Sequence, residues 1–508
     1  MLSVVDVLVI LVYLAAVTYF GLAIAGGPKS DTDYFLGGRD LPWWAVCFSI
    51  VATETSTLTV IGIPAVAYAG SLTFLQLSIG YIIGRIIVAA WFLPRYFSGK
   101  LNTAYAYLGE RFGGAMQVSA SVTFLVTRLL ADGVRLFATA IPLKIVFQAA
   151  GLDVGYPVII IGIGLVTIVY TFVGGLKAVV WMDVVQLAVY VVGSLIALVL
   201  LVSESSGVMM QTAIDAGKLT VFDFRSAFRW PSLITENYNA LAAIVGGAAL
   251  SMASHGTDQL IVQRVLACRS ESEGRKALIV SGFAVAIQFA LFLAVGLFLW
   301  MHYDGASTSS LGLGRGDEIF PYFILNEMPV GLKGLLIAGI IAAAMSTLSS
   351  SLNALASSSV HDLMHRGRRS HDDTDSARSG KVLTVFWGLV FIVFASLFTD
   401  RQSPVVELGL AIASYTYGGL LGAFLLGLLI EKADQVDAIV SFFVALVVMV
   451  FVIKFVLVSP EGSLVFAFGT ENVALRSSGF LPVAWPWYTI IGTLVLLSVG
   501  SMLSFRHR

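Results

Sequence analysis

The sequence predicts an all-α, polytopic membrane protein, and three observations carry that reading. Hydrophobic residues make up 58% of the 508 and charged residues only 12%, against about 25% charged in an ordinary soluble domain. The mean hydropathy is +0.90. Apolar runs of about 20 residues recur along the chain, each enough to cross a hydrocarbon core as a helix, whereas a barrel would show alternating strands of about 10 residues. A net charge of -1 offers no footprint for nucleic acid, and the two cysteines, Cys47 and Cys268, supply neither a disulfide framework nor a metal cluster.

The runs are centred at about residues 14, 56, 83, 132, 166, 192, 248, 288, 349, 391, 417, 447 and 495, which predicts about 13 transmembrane helices. The first ends in Ala23-Ile24-Ala25, which mimics a cleavage site. It lacks a basic leader, begins with Asp6 and runs too long for a signal peptide, so it reads as a retained span. The second, VATETSTLTVIGIP, holds Glu54, hydroxyls at Thr55, Ser56, Thr57 and Thr59, then Gly62 and Pro64. Such a helix is expected to unwind at bilayer depth, which is tolerated only where the freed carbonyls line a cavity or hold an ion. The third contains Arg85, and the fourth places Arg128 and Arg135 on one face with Asp132 between them. Two readings stay open for that trio: an ion-pair cluster fixing helix packing, or one arginine neutralising Asp132 while the other meets an anion.

Asp183 stands at the start of the sixth run, in VVWMDVVQ, with no basic residue of its own segment placed to pair with it at i+3 or i+4. In the ninth, MSTLSSSLNALASSS (345–359), Ser346, Ser350, Asn353 and Ser357 fall on one helical stripe, flanked by Thr347 and Ser349. Hydroxyls at Ser357 to Ser359 read as packing between helices. Those at 346 to 350 suit a hard cation such as sodium, which wants several oxygen ligands and, for one charge, accepts neutral ones. Lys454, near the end of the twelfth run, is placed to snorkel. With the N-terminus outside, 18 Lys and Arg fall in inside segments and 8 in outside segments. The positive-inside rule therefore places the N-terminus outside and the C-terminus in the cytoplasm.

Six blocks, in order, carry a family resemblance: DYFLGGRDLPWW (33–44), SIVATETSTLTVIGIPAVAYAG (49–70), YTFVGGLKAVVWMDVVQ (170–186), HGTDQLIVQRVLACRSESEGRKA (255–277), AAAMSTLSSSLNAL (342–355) and SYTYGGLLGAFLLG (414–427). Together they resemble the sodium/solute symporters, the family of sodium-coupled sugar, proline, sialic acid and monocarboxylate carriers. The resemblance implies a LeuT-type fold of five plus five inverted helices. An extra N-terminal span and loop would occupy 1–43, the first repeat 44–202, an extracellular loop 203–238, the second repeat 239–430 and two further helices 431–508. It implies a first sodium site from the carbonyls of Ala52, Thr55 and Ala343 with the hydroxyls of Ser346 and Thr347. A second, used by some members, would take Asp183, Ser349 and Ser350.

The implied substrate contacts are Glu54, Ser56, Thr59, Phe74, Ser78, Arg135, Ser251 and Ser254. Ser78, Ser251 and Ser254 stand where sugar carriers have a glutamate, an asparagine and a gating tyrosine, which disfavours a sugar. Glu54 stands where proline carriers place an acid, while Ser56, Thr59 and Arg135 resemble positions of sialic acid carriers. A cationic centre facing Glu54 and a carboxylate facing Arg135 would suit an amino-acid-like zwitterion, with sialic acid and monocarboxylates left open.

The expectation is a sodium-coupled symporter that imports a small organic solute bearing a carboxylate, by alternating access, with one or two sodium ions. It would sit as a multi-pass protein among the lipids of the plasma membrane, the inner membrane if bacterial, with no nucleic acid and no obligate protein partner. An enzyme is not expected, because six scattered histidines come with no H-E-x-x-H, P-loop or GxSxG in a fitting context. Two alternatives are carried: proton coupling through Glu54, Asp132 or Asp183, and a membrane sensor of the same fold. A sensor would add a cytoplasmic catalytic domain, whereas this chain stops within a few residues of its last span.

Overall fold

The computed structural model describes residues 3–25, 30–99, 101–149, 151–364, 373–398 and 405–507. Of the basic residues in the orientation count, Lys29, Lys100, Arg366, Arg368, Arg369, Arg401 and Arg508 lie outside these. The apolar runs form α1 (Val4–Ala25), α2 (Trp43–Glu54), α3 (Thr57–Ala69), α4 (Gln76–Trp91), α5 (Gly114–Ala149), α6 (Tyr156–Glu204) and α7 (Gly247–Gly256). They continue as α8 (Glu271–His302), α9 (Leu332–Ser358), α10 (Asp373–Leu397), α11 (Val405–Leu429), α12 (Gln435–Phe455) and α13 (Pro486–Ser504).

Among the described residues, 9 helices are long and apolar enough to cross a membrane, or 10 if the bent pair α2 and α3 counts as one span. That number is below the expected count of about 13 for local reasons of length and charge. The runs near 166 and 192 join in α6, 49 residues long, which at 1.5 Å per residue is about 73 Å, more than two bilayer cores. Gly175, at φ 55° and ψ -157°, breaks it into two helical pieces; a side chain there would collide with the Tyr34 carbonyl, 2.5 Å from an ideal Cβ. The run near 132 carries Arg128, Asp132 and Arg135 within α5, and the run near 248 is split between a π-helical turn, Ala242–Gly246, and the ten residues of α7.

The chain divides into two compact units, residues 1–72, 128–220 and 263–409, and residues 73–127, 221–262 and 410–508. In the first, α9 packs against α6, α1, α10 and α2, and α8 packs against α2, α3 and α6. Within the apolar stretch Leu332–Met364, 94% of the best spanning window is buried inside protein. That burial explains the hydroxyls: a membrane helix surrounded by other helices gains from small polar side chains that allow close approach and cross-helix hydrogen bonds. In the second unit α4 packs on α7 and α12 on α13. Arg111 donates there to the carbonyls of Gly427, Ile430, Glu431 and Ala433, closing the end of α11. A small antiparallel sheet places β1 (Val456–Val458) between β2 (Leu464–Phe466) and β3 (Leu481–Pro482).

Asp6 gives the first span its structural reason. Its Oδ1 accepts from the backbone N–H of Gly331 at 2.8 Å and of Gly334 at 3.0 Å. Gly331 is the N-cap of α9 and has no side chain to cap with, so α1 supplies the missing acceptor, and its charge meets the positive end of the helix dipole. Asp6→Ala is expected to lower stability by about 1–2 kcal/mol, read as a lower melting temperature of the purified protein. Asp6→Asn keeps an acceptor and should recover part of the loss.

Candidate functional site

The chemistry of the first unit gathers where α2 stops. Helix α2 ends at Glu54, Thr55 takes φ -87° and ψ 92°, Ser56 takes φ -88° and ψ 174°, and α3 restarts at Thr57 bent by 64°. An α-helix that ends leaves its last carbonyls without helical partners, so the break frees the backbone oxygens from Ala52 to Glu54, with Thr55 beyond them. The Val51 oxygen still takes the Thr55 N–H at 3.0 Å. On the far side, Thr57 Oγ1 donates to the Ile340 carbonyl at 3.1 Å and accepts from Thr139 Oγ1 at 3.1 Å, pinning the start of α3 to α9 and α5. Thr59 makes only a long contact, 3.5 Å, to the Glu54 carbonyl, and both residues are half-buried.

Ser56, Thr57, Thr139, Ala344, Thr347, Asp132 and Arg135 line one small cavity, with room for roughly one water molecule. Thr347 Oγ1 lies 3.2 Å from the Ala343 carbonyl, so two of the expected sodium ligands stand side by side on α9. On the cavity's other wall, Arg135 donates to Asp132 Oδ1 at 3.0 Å and Arg128 reaches the same oxygen at 3.4 Å. Ser351 donates to Asp132 Oδ2. One carboxylate therefore answers two guanidinium groups. Arg135 keeps 20% of its side chain exposed while its buried Nε has no hydrogen-bond partner.

The second cluster surrounds Asp183, buried on α6. Arg264 Nη2 lies 3.2 Å from its Oδ2, and neither side chain has exposed surface. Ser49 Oγ donates to Oδ2 at 2.5 Å, Ser346 Oγ to Oδ1 at 2.6 Å, and Thr53 Oγ1 stands 3.5 Å away. Arg264 also donates to Ser49 at 2.9 Å and to Ser350. No basic residue of its own segment pairs with Asp183; the partner comes from another helix, 81 residues along the chain. The Ser349 hydroxyl donates to the Ser346 carbonyl at 3.0 Å. Residues on a helix turn by about 100° each, so Ser346, Ser349 and Ser350, at i, i+3 and i+4, crowd one side of α9. One turn on, Gln263 bonds Asn353 at 2.7 Å and extends the same polar stripe.

The remaining expected substrate contacts belong to the second unit. Phe74 stacks obliquely on Tyr238 at 5.4 Å between ring centroids, and the buried Ser78 hydroxyl has no hydrogen-bond partner. Ser251 donates to the Tyr81 carbonyl at 3.0 Å, and Ser254 bonds His255 Nδ1 at 2.8 Å. Ser49, Thr53, Thr139 and Arg264 are participants that sequence reasoning missed. Only Ser49 and Thr53 left a signal, their i, i+4 spacing on the helix that breaks.

Comparison with known proteins follows the same lines. Residues 34–457 match the family described as the sodium:solute symporter family. The chain is 29% identical over 433 residues to the sodium/sialic acid symporter NanT of Aliivibrio fischeri, covering 84% of each. It is 28% identical over 437 residues to the human sodium-coupled monocarboxylate transporter 1, covering 85% of this chain and 70% of the relative. A solved structure of a Na+-coupled sialic acid symporter in a substrate-bound outward-open state superposes with a TM-score of 0.82 at 26% identity. That match covers 99% of this chain and 98% of the other. The all-α, LeuT-type fold class follows. With a family match across most of its length and a helical bundle to fit, the chain belongs to the sodium:solute symporter family, as a multi-pass membrane transporter coupled to sodium ions and not an enzyme.

Proposed function

We propose that this symporter imports a small organic solute bearing a carboxylate, held by Arg135, with sodium bound at the break between α2 and α3. The observation that carries the proposal is the shared cavity, where the hydroxyl of Thr347 and the broken helix stand against Arg135 and its unpartnered Nε. The first sodium takes the carbonyls of Ala52, Thr55 and Ala343 with the hydroxyls of Ser346 and Thr347. A second ion takes Asp183, Ser349 and Ser350, where Arg264 now stands. Glu54, Ser56 and Thr59 complete the solute's surroundings on this unit; Phe74, Ser78, Ser251 and Ser254 are the solute contacts proposed within the second unit. Support for a carboxylate also comes from the solutes that give the two relatives their names, sialic acid and monocarboxylates. The N-terminus faces outward and the C-terminus the cytoplasm of the plasma membrane, and the repeats 44–202 and 239–430 alternate access.

Arg135→Lys tests the solute side. It keeps the charge but loses the planar fork, and hydrogen bonds to charged groups are worth about 1.5–3 kcal/mol, so solute affinity should fall at least about tenfold while sodium binding persists. The solute is found by a thermal-shift screen of sialic acid, short monocarboxylates and amino acids, with and without sodium, since a ligand that binds the folded state raises its apparent stability. Normal transport of the identified solute by Arg135→Ala would make Arg135 a structural residue.

A further inference from the structure

A second, larger cavity lies on the flank of the first unit, among α2, α6 and α8. Its volume is about 370 Å³ and its walls include Phe48, Val51, Leu187, Ala188, Ala284 and Gln288. It has no part in the site described above and its lining is apolar apart from Gln288. It runs along α6 from Val184 to Val191 and along α8 from Ala284 to Leu291, about 10 Å on each helix. Its rim carries Phe48 and Ile287, 41% and 73% exposed. Both α6 and α8 are long and apolar enough to span a membrane and α2 is half of the broken span, so hydrocarbon is the medium expected at that rim. The small side chains of Ala188 and Ala284 open the groove, where larger residues would close it.

The floor of the groove is not inert. Gln288 is 4% exposed, and its Oε1 accepts from Thr55 Oγ1 at 2.9 Å. Thr55 is the residue at which α2 breaks. An occupant that packs against Gln288 and Val51 therefore presses on the segment that shapes the break.

We propose that this groove is a binding site for one acyl chain of a membrane phospholipid, and that its occupancy sets the sodium affinity through Gln288 and Thr55. The binding part stands alone; the coupling rests on the assignment of the Thr55 carbonyl to the first sodium site. The protein is reconstituted in nanodiscs containing a phosphatidylethanolamine with a diazirine on its acyl chain, photolysed, and mapped by peptide mass spectrometry. Saturable labelling of 184–191 and 284–291, lost in Ala284→Trp and weakened in the milder Ala284→Leu, is expected. Labelling of the wild type no stronger there than at exposed α6 residues such as Ile161 and Val199 overturns the site. Sodium titrations then read the coupling. Ala284→Trp should shift the apparent sodium affinity about fivefold, whereas Gln288→Leu should keep the label and lose any dependence of sodium affinity on the lipid. A wild-type sodium response in Ala284→Trp, with labelling abolished, overturns the coupling while leaving the lipid site in place.

Discussion

Removing the Thr347 hydroxyl is expected to weaken sodium coupling more than any other single change at the break. Thr347→Val keeps the shape and removes the oxygen, leaving the cavity with one ligand fewer for the ion. Apparent sodium affinity, read as sodium-dependent uptake by proteoliposomes at fixed pH, should fall by more than about tenfold, which is 1.4 kcal/mol. Thr347→Ser, which keeps the oxygen, should stay near wild type. Ser346→Ala is the less clean probe, because Ser346 Oγ lies 2.6 Å from Asp183 Oδ1 and its loss also strips a donor from a buried carboxylate. The double variant Ser346→Ala with Thr347→Ala should insert and fold yet lose sodium-driven uptake. Wild-type sodium dependence in Thr347→Val would remove the first sodium from the break between α2 and α3.

The choice of Thr347 shows what was legible in the sequence. The run from Glu54 to Pro64 announced a break by its hydroxyls, glycine and proline, and the break is there, with a 64° bend. The spacing of Ser346, Ser350 and Asn353 announced a polar face, and each now has its hydrogen-bond partner on another segment. Arg128, Asp132 and Arg135 announced a cluster by spacing alone. These are local patterns, in which the period of one helix does the work.

What was illegible is tertiary. Arg264 counted only as a positive charge near a membrane face, since nothing local marks a residue in a short helix as the partner of an acid 81 positions earlier. Thr139 and Thr57 meet for the same reason, across 82 positions. The runs near 166 and 192 read as two spans, but the bend between them did not: it is a single glycine conformation at Gly175, and hydropathy carries no trace of a dihedral angle.

Arg264 also sets the second large expected effect. It holds the place beside Asp183 that a second sodium ion would take, and a carboxylate buried with no exposed surface cannot keep both cations without an uncompensated charge at bilayer depth. Ion and guanidinium therefore compete. Arg264→Ala, measured without sodium, should cost about 3–5 kcal/mol, as expected when one partner of a buried pair is removed. Sodium should restore much of it, since an ion at 100 times its dissociation constant stabilises by about 2.7 kcal/mol, and the thermal shift produced by sodium should be larger in the variant than in the wild type. Asp183→Asn should do the reverse, abolishing the extra shift and lowering the Hill coefficient for sodium toward one, with the first site intact. The transport consequence is steep, because each charge carried inward gains about 2.3 kcal/mol per 100 mV: one ion supports roughly fortyfold accumulation from voltage alone and two support roughly three orders of magnitude. A reversal potential in proteoliposomes measures that difference. One sodium per solute in the wild type, together with an Arg264→Ala variant whose stability ignores sodium, would reduce Asp183 and Arg264 to a structural ion pair.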